Sequence, residues 1–512
     1  MQATWRPPHP AFAALIDALL DETAPIHVVG GIVRDVLMDR AGRDADVDLV
    51  VQSNALFVAK AAADRLGWAY FPLDEARDVA RLVFNPDGVK PLVCDVAGMR
   101  GTSLESDLRA RDFTINAMAF TLTPDAPPRL VDLFDGQGDI ARNVIRTVGP
   151  TSLAEDPLRL LRAVRFAVQL DFTIDPVTEE QIRRLSGSLR SVSAERIRDE
   201  LWKALAAPRP QRAMDDLRRL GLLLQTLPEL YATIGVAQSY PHYLDVYDHT
   251  MLVVEHAAEL RDWIAGSGED VPEYTPGWQA VLAPWRTELR RHFLQPLAGG
   301  RRRVDWLVWH ALLHDIGKPE TRSQERQPNG RVVFRFFDHE TVGADLAEAR
   351  LDALRYSRQE IALDRAVILG HMRPHHLENS FAMQPISRRA LYRFFRDTGI
   401  AQSKDSAALD TWLLALADVQ GTYAERPPNW SEYLTHTEQV LAYAFTDQGA
   451  ADVRRRPLVD GFAVMRHLDL TPGPAIGALL AQILEAQAAG DISTPEEALA
   501  LAQTLQAGGD AN

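Results

Sequence analysis

An α+β head followed by a mostly α-helical remainder is the fold class this chain predicts, on two patterns and a length. Up to about residue 148, short apolar runs of strand character alternate with segments of helical periodicity. From Asp156 onward, Leu158, Leu161, Val164, Ala167 and Val168 recur at helical spacing, and few strand signals follow. At 512 residues the chain exceeds what one core organises, so two to four domains are expected.

Taken in order, residues 27–30, 47–51, 80–84 and 91–97 read as strands, and 11–20, 33–39 and 54–66 as helices. A proline-bearing basic stretch, 206–211, separates further helices, and 240–260 begins another helical block. Residues 266–278 read as a loop, and the basic 279–303, broken by a glycine pair, as an insertion or a mobile connection. A turn at 324–330 precedes a short strand at 332–337. The chain from 423 is helical around a loop at 471–474, and 506–512 read as disordered.

Composition removes several classes. The longest apolar runs, such as 307–313, are too short to cross a bilayer, and no basic-then-apolar signal opens the sequence, so a cytoplasmic protein is expected. The single cysteine, Cys94, rules out an intrachain disulfide framework and reads as a buried strand thiol. A formal charge of −15 argues against a surface built for indiscriminate nucleic-acid binding. Residues 156–219 nevertheless carry thirteen Lys and Arg against ten Asp and Glu. That balance suits one RNA-facing surface, and equally an ordinary solvated helical face.

The chemistry begins at 28–51. Gly30 and Gly31 lie between an apolar strand and a helix start, where the backbone can approach a phosphate chain and helix N–H groups favour its charge. On the next strand, Asp46 and Asp48 are two apart and point to one side, as a pair of carboxylates for Mg²⁺ requires. Together they read as a metal-dependent nucleoside triphosphate site. Asp95, on a neighbouring apolar strand, is either a third carboxylate of that site or a structural residue.

Three further segments sharpen this reading. Asp107-Leu-Arg-Ala-Arg-Asp-Phe-Thr-Ile-Asn runs to Asn116, Glu155-Asp-Pro-Leu-Arg-Leu-Leu-Arg-Ala-Val-Arg runs to Arg165, and Ser193-Ala-Glu-Arg-Ile-Arg-Asp-Glu runs to Glu200. Asp156 and Arg159, three apart, fall on nearly one helical face. A carboxylate beside a guanidinium offers planar acceptors and donors that can read a base edge, while further arginines can grip phosphate oxygens. Taken alone, the same spacing also fits a surface ion pair on a basic helix.

Over about 26–230 these motifs resemble the class II tRNA nucleotidyltransferase family, which holds CCA-adding enzymes, their CC-adding and A-adding relatives, and bacterial poly(A) polymerases. The resemblance implies a polymerase-β-like head followed by helical neck, body and tail. It implies that Asp46 and Asp48 bind Mg²⁺, that Gly30, Gly31 and Arg34 meet the triphosphate, and that Arg111 and Asp112 meet the sugar and phosphate side. Asp156 and Arg159 would form the protein template for C or A, assisted by Arg162 and Arg165, and Asp74, Arg77 and Arg81 would belong to the family's flexible loop. Ala110 stands where the family usually has a first arginine of the sugar-binding motif.

A second constellation follows: Asp248-His-Thr, Leu313-His-Asp-Ile-Gly-Lys, Asp338-His-Glu, His371 and Asp418. Mixed nitrogen and oxygen donors suit Mn, Fe, Co, Ni or Mg better than a thiolate-bound zinc. Over about 240–419 the pattern resembles the HD phosphohydrolase family, whose core ligands match His249, His314, Asp315 and Asp418. His339 and His371 match the extra ligands of its two-metal members. The expected domains are thus a nucleotidyltransferase head at 1–148, a helical neck and body at 149–235, an HD domain at 236–430 with an insertion near 261–303, and a helical tail at 431–512.

The function expected on this basis is addition of CMP, AMP or both to the 3′ end of tRNA, with CTP, ATP and the tRNA acceptor end as partners and a phosphohydrolase activity in the HD domain. No membrane or protein partner is expected. Alternatives are a CC-adding or A-adding partial enzyme, a poly(A) polymerase, or an HD phosphohydrolase whose head binds RNA without transferring nucleotides.

Overall fold

A computed structural model describes residues 5–40, 46–52, 54–86, 91–266, 276–382, 384–399, 406–446 and 457–509. They form two compact units, one of Met1–Ala204 with Arg219–Gln225, the other of Leu205–Arg218 with Thr226–Asn512.

The first unit is built on a seven-stranded mixed sheet. Its strands are β1 (Ile26–Val29), β2 (Val47–Val51), β3 (Ala69–Asp74), β4 (Val79–Phe84), β5 (Leu92–Gly98), β6 (Met118–Thr123) and β7 (Ala126–Asp132). They lie in the order β3-β4-β5-β2-β1-β6-β7, with β2 and β5 parallel and the other neighbours antiparallel. Strand alternation sorts the side chains. Val28 of β1, Val47, Leu49 and Val51 of β2 and Cys94 and Val96 of β5 join one core with Phe12, Leu15 and Leu19 of helix Pro10–Glu22 and Ala59 and Ala62 of helix Ala55–Leu66. The opposite face carries a smaller cluster, Val29, Val50, Leu108 and Ala119, beside which Asp48 stands.

The strands expected at 27–30, 47–51, 80–84 and 91–97 are present within a residue or two, whereas β3, β6 and β7 were not anticipated. Segment 73–81, read as a flexible loop, is a hairpin whose turn spans 75–78 between β3 and β4. Helices Arg159–Leu170, Pro176–Leu185 and Ala194–Leu205 complete the first unit's main elements.

Among its described residues the second unit is helical apart from a hairpin of Arg322–Arg326 with Val332–Phe336. Helices Val246–Ala265, Trp306–Leu313, His339–Ala353, Arg358–Gly370 and Ala408–Thr422 supply its centre. The loop expected at 266–278 lies mostly outside the described residues. The stretch from 278, expected as an insertion or a mobile connection, is packed: Trp278, Leu282, Leu289 and Phe293 are fully buried, with Trp278 edge-on to Trp263 at 5.7 Å. The tail forms its own apolar cluster of Val464, Ile476, Ile483 and Ala498. Its last helix, Pro495–Gly509, includes residues 506–509 expected to be disordered, and 510–512 lie outside the described residues. Among the described residues no helix is long and apolar enough to cross a membrane.

Candidate functional site

β2 sets up the head site by simple alternation. Val47 and Leu49 are buried while Asp48, between them, points to the opposite side of the sheet, and Asp46 is exposed just before the strand. β1 ends at Gly30, whose φ of 79° belongs to the left-handed region that glycine adopts without strain, and helix Gly31–Leu37 starts there. A Cβ on Gly30 would lie 3.2 Å from Asp48 Oδ2 and 3.5 Å from Arg111 Nη1. Three residues far apart in sequence therefore meet at one point. Desolvation and the neighbouring Asp95 charge push the Asp48 carboxyl up to about 6, with Asp46 adding to the effect and Arg111 opposing it. Crowded negative charge of this kind is what a divalent cation relieves, so Asp46 and Asp48 fit a metal pair.

Asp95 is the in-register partner of Asp48 across β2 and β5, and of Arg81 across β4 and β5. Arg81 holds it with two hydrogen bonds, Nε to Oδ1 and Nη2 to Oδ2, both 2.8 Å. Asp74 and Arg77 sit together in the hairpin turn, where Asp74 Oδ1 accepts from the Arg77 backbone N–H at 3.0 Å.

Beside the glycine turn runs a chain of paired side chains. Arg34 donates Nη1 to Asn116 Oδ1 at 2.9 Å, and Asn116 donates Nδ2 to Asp112 Oδ1 at 3.2 Å. Asp112 Oδ2 accepts from Arg162 Nε and Nη2 at 2.9 and 2.7 Å. Burial alone would raise Asp112, but the Arg162 guanidinium outweighs it and keeps the carboxyl below its ordinary value. Arg111 commits Nε and Nη2 to Asp107, and its Nη1 is the atom that meets Gly30. Arg165 donates Nε to Glu200 at 2.5 Å. The guanidiniums of Arg165, Arg34 and Arg162 stand 4.0, 5.3 and 5.3 Å from the Phe166 ring centre, so one aromatic ring gathers all three.

Asp156 and Arg159 are close in sequence but do not pair. The largely buried Arg159 guanidinium donates to three main-chain carbonyls, Ala110 at 2.7 Å, Ser152 at 2.9 Å and Arg111 at 3.3 Å, and to Ser152 Oγ at 2.9 Å. Asp156 Oδ2 instead accepts from Arg196 Nη2 at 2.7 Å. Sequence reasoning left Asp107, Asn116, Arg196 and Glu200 unassigned, although all four lie inside the quoted motifs.

The second unit brings the remaining predicted residues together. His249, His314 and Asp315 present ligand atoms within 4.8 Å of one another, and so do Asp315, His339 and His371. Asp315 Oδ2 is 3.2 Å from His314 Nε2 and 3.7 Å from His249 Nε2, while Oδ1 is 3.5 Å from His339 Nε2 and 4.0 Å from His371 Nε2. One carboxylate thus spans two half-sites. All four imidazoles are oriented alike: Nδ1 faces a main-chain carbonyl, Gly421 for His249, Ala311 for His314, Phe336 for His339 and Ile368 for His371. A carbonyl can only accept, so Nδ1 carries the proton and Nε2 turns a lone pair inward. His249 Nε2 and His314 Nε2 are buried and make no well-aligned hydrogen bond, while Asp315 Oδ2 also meets Lys318 Nζ at 2.6 Å. Inward lone pairs around a bridging carboxylate fit one or two divalent cations.

Asp418 joins the set, with Oδ1 3.0 Å from His249 Nε2 and Oδ2 2.9 Å from His375 Nε2. Burial would raise Asp315, but His314 and Lys318 hold it well below the usual carboxylate range. Burial pushes His371 down to about 3, helped by His339 and His314. A cavity of about 730 Å³ opens onto Asp315, Lys318, His371, His375 and Asp418. His375 and His242, whose ring lies edge-on to His249 at 4.8 Å, were missed. His375, four residues after His371 on helix Met372–Ser380, had a spacing signal; His242 had none.

A mixed sheet with a glycine turn against paired aspartates, in one chain with a buried His/Asp cluster, defines a nucleotidyltransferase head joined to a metal-type HD domain. Residues 26–146 match the family described as Poly A polymerase head domain, 171–233 the probable RNA and SrmB-binding site of polymerase A, and 246–398 the HD domain. The A-adding tRNA nucleotidyltransferase of Deinococcus radiodurans is 34% identical over 510 residues, 97% of this chain and 96% of that protein. The CC-adding tRNA nucleotidyltransferase of Thermus thermophilus is 32% identical over 477 residues, 92% of each chain. The Thermotoga maritima CCA-adding enzyme, solved with tRNA, shares the fold at a TM-score of 0.57 and 22% identity over 98% of this chain and 97% of its own. The chain belongs to the tRNA nucleotidyltransferase family with a poly(A) polymerase head.

Proposed function

We propose that this protein adds CMP, AMP or both to the 3′ end of tRNA without a nucleic-acid template, by attack of the RNA 3′-hydroxyl on the α-phosphate of CTP or ATP with release of pyrophosphate. The observation that carries this reading is the meeting of Gly30, Asp48 and Arg111 at one point beside Asp46. Asp46 and Asp48 would hold Mg²⁺, which when bound supplies charge compensation at the α-phosphate and the leaving oxygen. Gly30, Gly31 and Arg34 would receive the triphosphate. Arg111 and Asp112 would position its sugar and phosphate side. Asp156 and Arg159 would read the base edge, with Arg162 and Arg165 supporting them. The protein's own contribution is orientation and neutralisation, which suits the rigid Arg34–Asn116–Asp112–Arg162 chain.

The domain division proposed is a head at 1–148, a neck and body at 149–235, an HD domain at 236–430 and a tail at 431–512, acting in the cytoplasm. The testing experiment offers tRNAs ending before CCA, after C and after CC, each with one labelled nucleoside triphosphate and Mg²⁺. Incorporation of C, A or both is expected, and the pattern tells CCA, CC and A addition apart; no incorporation on any end overturns the reading.

A second activity is favoured by the four inward-facing imidazoles around Asp315. His249, His314, Asp315 and Asp418 would hold a divalent Mn, Fe, Co, Ni or Mg ion, with His339 and His371 completing a second position, for hydrolysis of phosphomonoesters or cyclic phosphodiesters. Metal-stripped protein should regain hydrolysis on addition of one of these ions; silence with all of them removes this activity.

A further inference from the structure

The segment Ser193 to Glu200 stands out in the sequence, yet none of its residues has a place in the proposed chemistry. Its helix, Ala194–Leu205, directs two side chains one turn apart at the nucleotide-reading residues: Arg196 to Asp156 and Glu200 to Arg165 and Arg162. The Asp156 contact is the more telling. Its two carboxylate oxygens are each tied down once, Oδ1 by the Leu158 backbone N–H at 3.2 Å and Oδ2 by Arg196 Nη2 at 2.7 Å. A carboxylate has about four acceptor positions, so this anchoring fixes the plane of the group and leaves acceptor capacity on both oxygens. Arg159, in contrast, is turned toward the carbonyls of Ala110, Arg111 and Ser152 and gives Asp156 no hydrogen bond.

We propose that Arg196 is a specificity-determining positioning residue, which holds the Asp156 carboxylate in the plane where it accepts from an exocyclic amino group of the incoming base. This rests on the reading of Asp156 as part of the base reader. Cytosine and adenine both present an amino donor at that edge, whereas uracil and guanine present a carbonyl oxygen that a fixed carboxylate repels. A carboxylate free to rotate would lose that contrast before it lost binding. Arg196 is itself half exposed, 51% at its side chain, so its removal leaves no cavity in the core. Burial tends to raise Asp156, but the Arg196 hydrogen bond and charge, with the Leu158 backbone N–H and the Arg159 charge, bring the group below its ordinary value.

The test compares the full-length protein with Arg196→Ala, Arg196→Lys and Asp156→Ala, measuring kcat/KM for single-nucleotide addition to truncated tRNA with CTP, ATP, UTP and GTP. Arg196→Ala should lower the preference for the cognate nucleotide over UTP and GTP by roughly 10- to 100-fold, the scale of a misplaced contact. Arg196→Lys should restore much of it, and the melting temperature should not move. If Asp156→Ala erases the preference while Arg196→Ala leaves it intact, Arg196 has no such role. If Asp156→Ala also leaves the preference intact, the base-reader assignment itself falls, and this proposal with it.

Discussion

Gly30 shows how little room the head site leaves. Its φ of 79° strains any side-chain-bearing residue, and a Cβ would sit a tight 3.2 Å from Asp48 Oδ2. Gly30→Ala should therefore cost about 1–3 kcal/mol in backbone strain and lower nucleotide incorporation by roughly tenfold or more, read as a thermal-unfolding shift and as kcat/KM. A substitution that changes neither would mean that the turn is not part of the site. In the second unit, His375 holds the outer oxygen of Asp418. His375→Ala should weaken metal binding by about 10- to 100-fold, measured by calorimetric titration with Mn²⁺ on metal-free protein. Asp48 was legible in the sequence because strand alternation turns it away from the core, with Asp46 just before the strand. The path of Arg159 was not: helical spacing places its Cα beside Asp156 but says nothing of the carbonyls at 110, 111 and 152 that draw its guanidinium inward.

At the scale of elements, legibility followed periodicity. β1, β2, β4 and β5 carry apolar runs bounded by turn residues, and they were read within a residue or two. β3 contains Pro72 and β7 contains Pro127 and Pro128, and both lie at sheet edges, where proline is tolerated because one side of the strand makes no ladder. Their sequences therefore carry a weak strand signal. In the basic stretch 279–303, the charges conceal Leu289 and Phe293 facing inward, so its packing was not legible. One of its arginines, Arg303, enters the core: it meets the fully buried Asp410 of helix Ala408–Thr422, Nε to Oδ1 at 3.0 Å. Burial would raise Asp410, but Arg303, with help from His292, holds it far below the usual carboxylate range. Its ionised form thus stabilises the fold above the unfolded-state value of about 4 and loses that effect as pH falls toward the folded-state value. Arg303→Met should cost about 3–5 kcal/mol near neutral pH by leaving a buried charge unpaired. Asp410→Asn should likewise destabilise most near neutral pH, and urea midpoints should show its gap to wild type narrowing below about pH 4. A gap that instead widens in acid would contradict this pairing.

For the whole molecule, the nucleotide addition and the phosphoester hydrolysis proposed for this chain should be separable by single substitutions. His314→Ala should remove phosphoester hydrolysis and spare nucleotide addition, whereas Asp46→Ala should do the reverse; loss of both activities in either variant would count against two independent centres. Chelation should silence both, because the paired carboxylates of the head and the His/Asp cluster of the second unit are each proposed to hold a divalent cation. Motif order made both centres visible in the sequence, while the identity of the added nucleotide was not, since the relatives include both A-adding and CC-adding proteins. The most direct test of the central claim is addition of labelled CTP and ATP to a tRNA lacking its 3′-terminal nucleotides, comparing wild type with a folded Asp48→Asn variant in Mg²⁺. Wild type should extend the RNA with C, A or both, and Asp48→Asn should not. Extension that persists undiminished in Asp48→Asn, or none by wild type with either nucleotide, would contradict it.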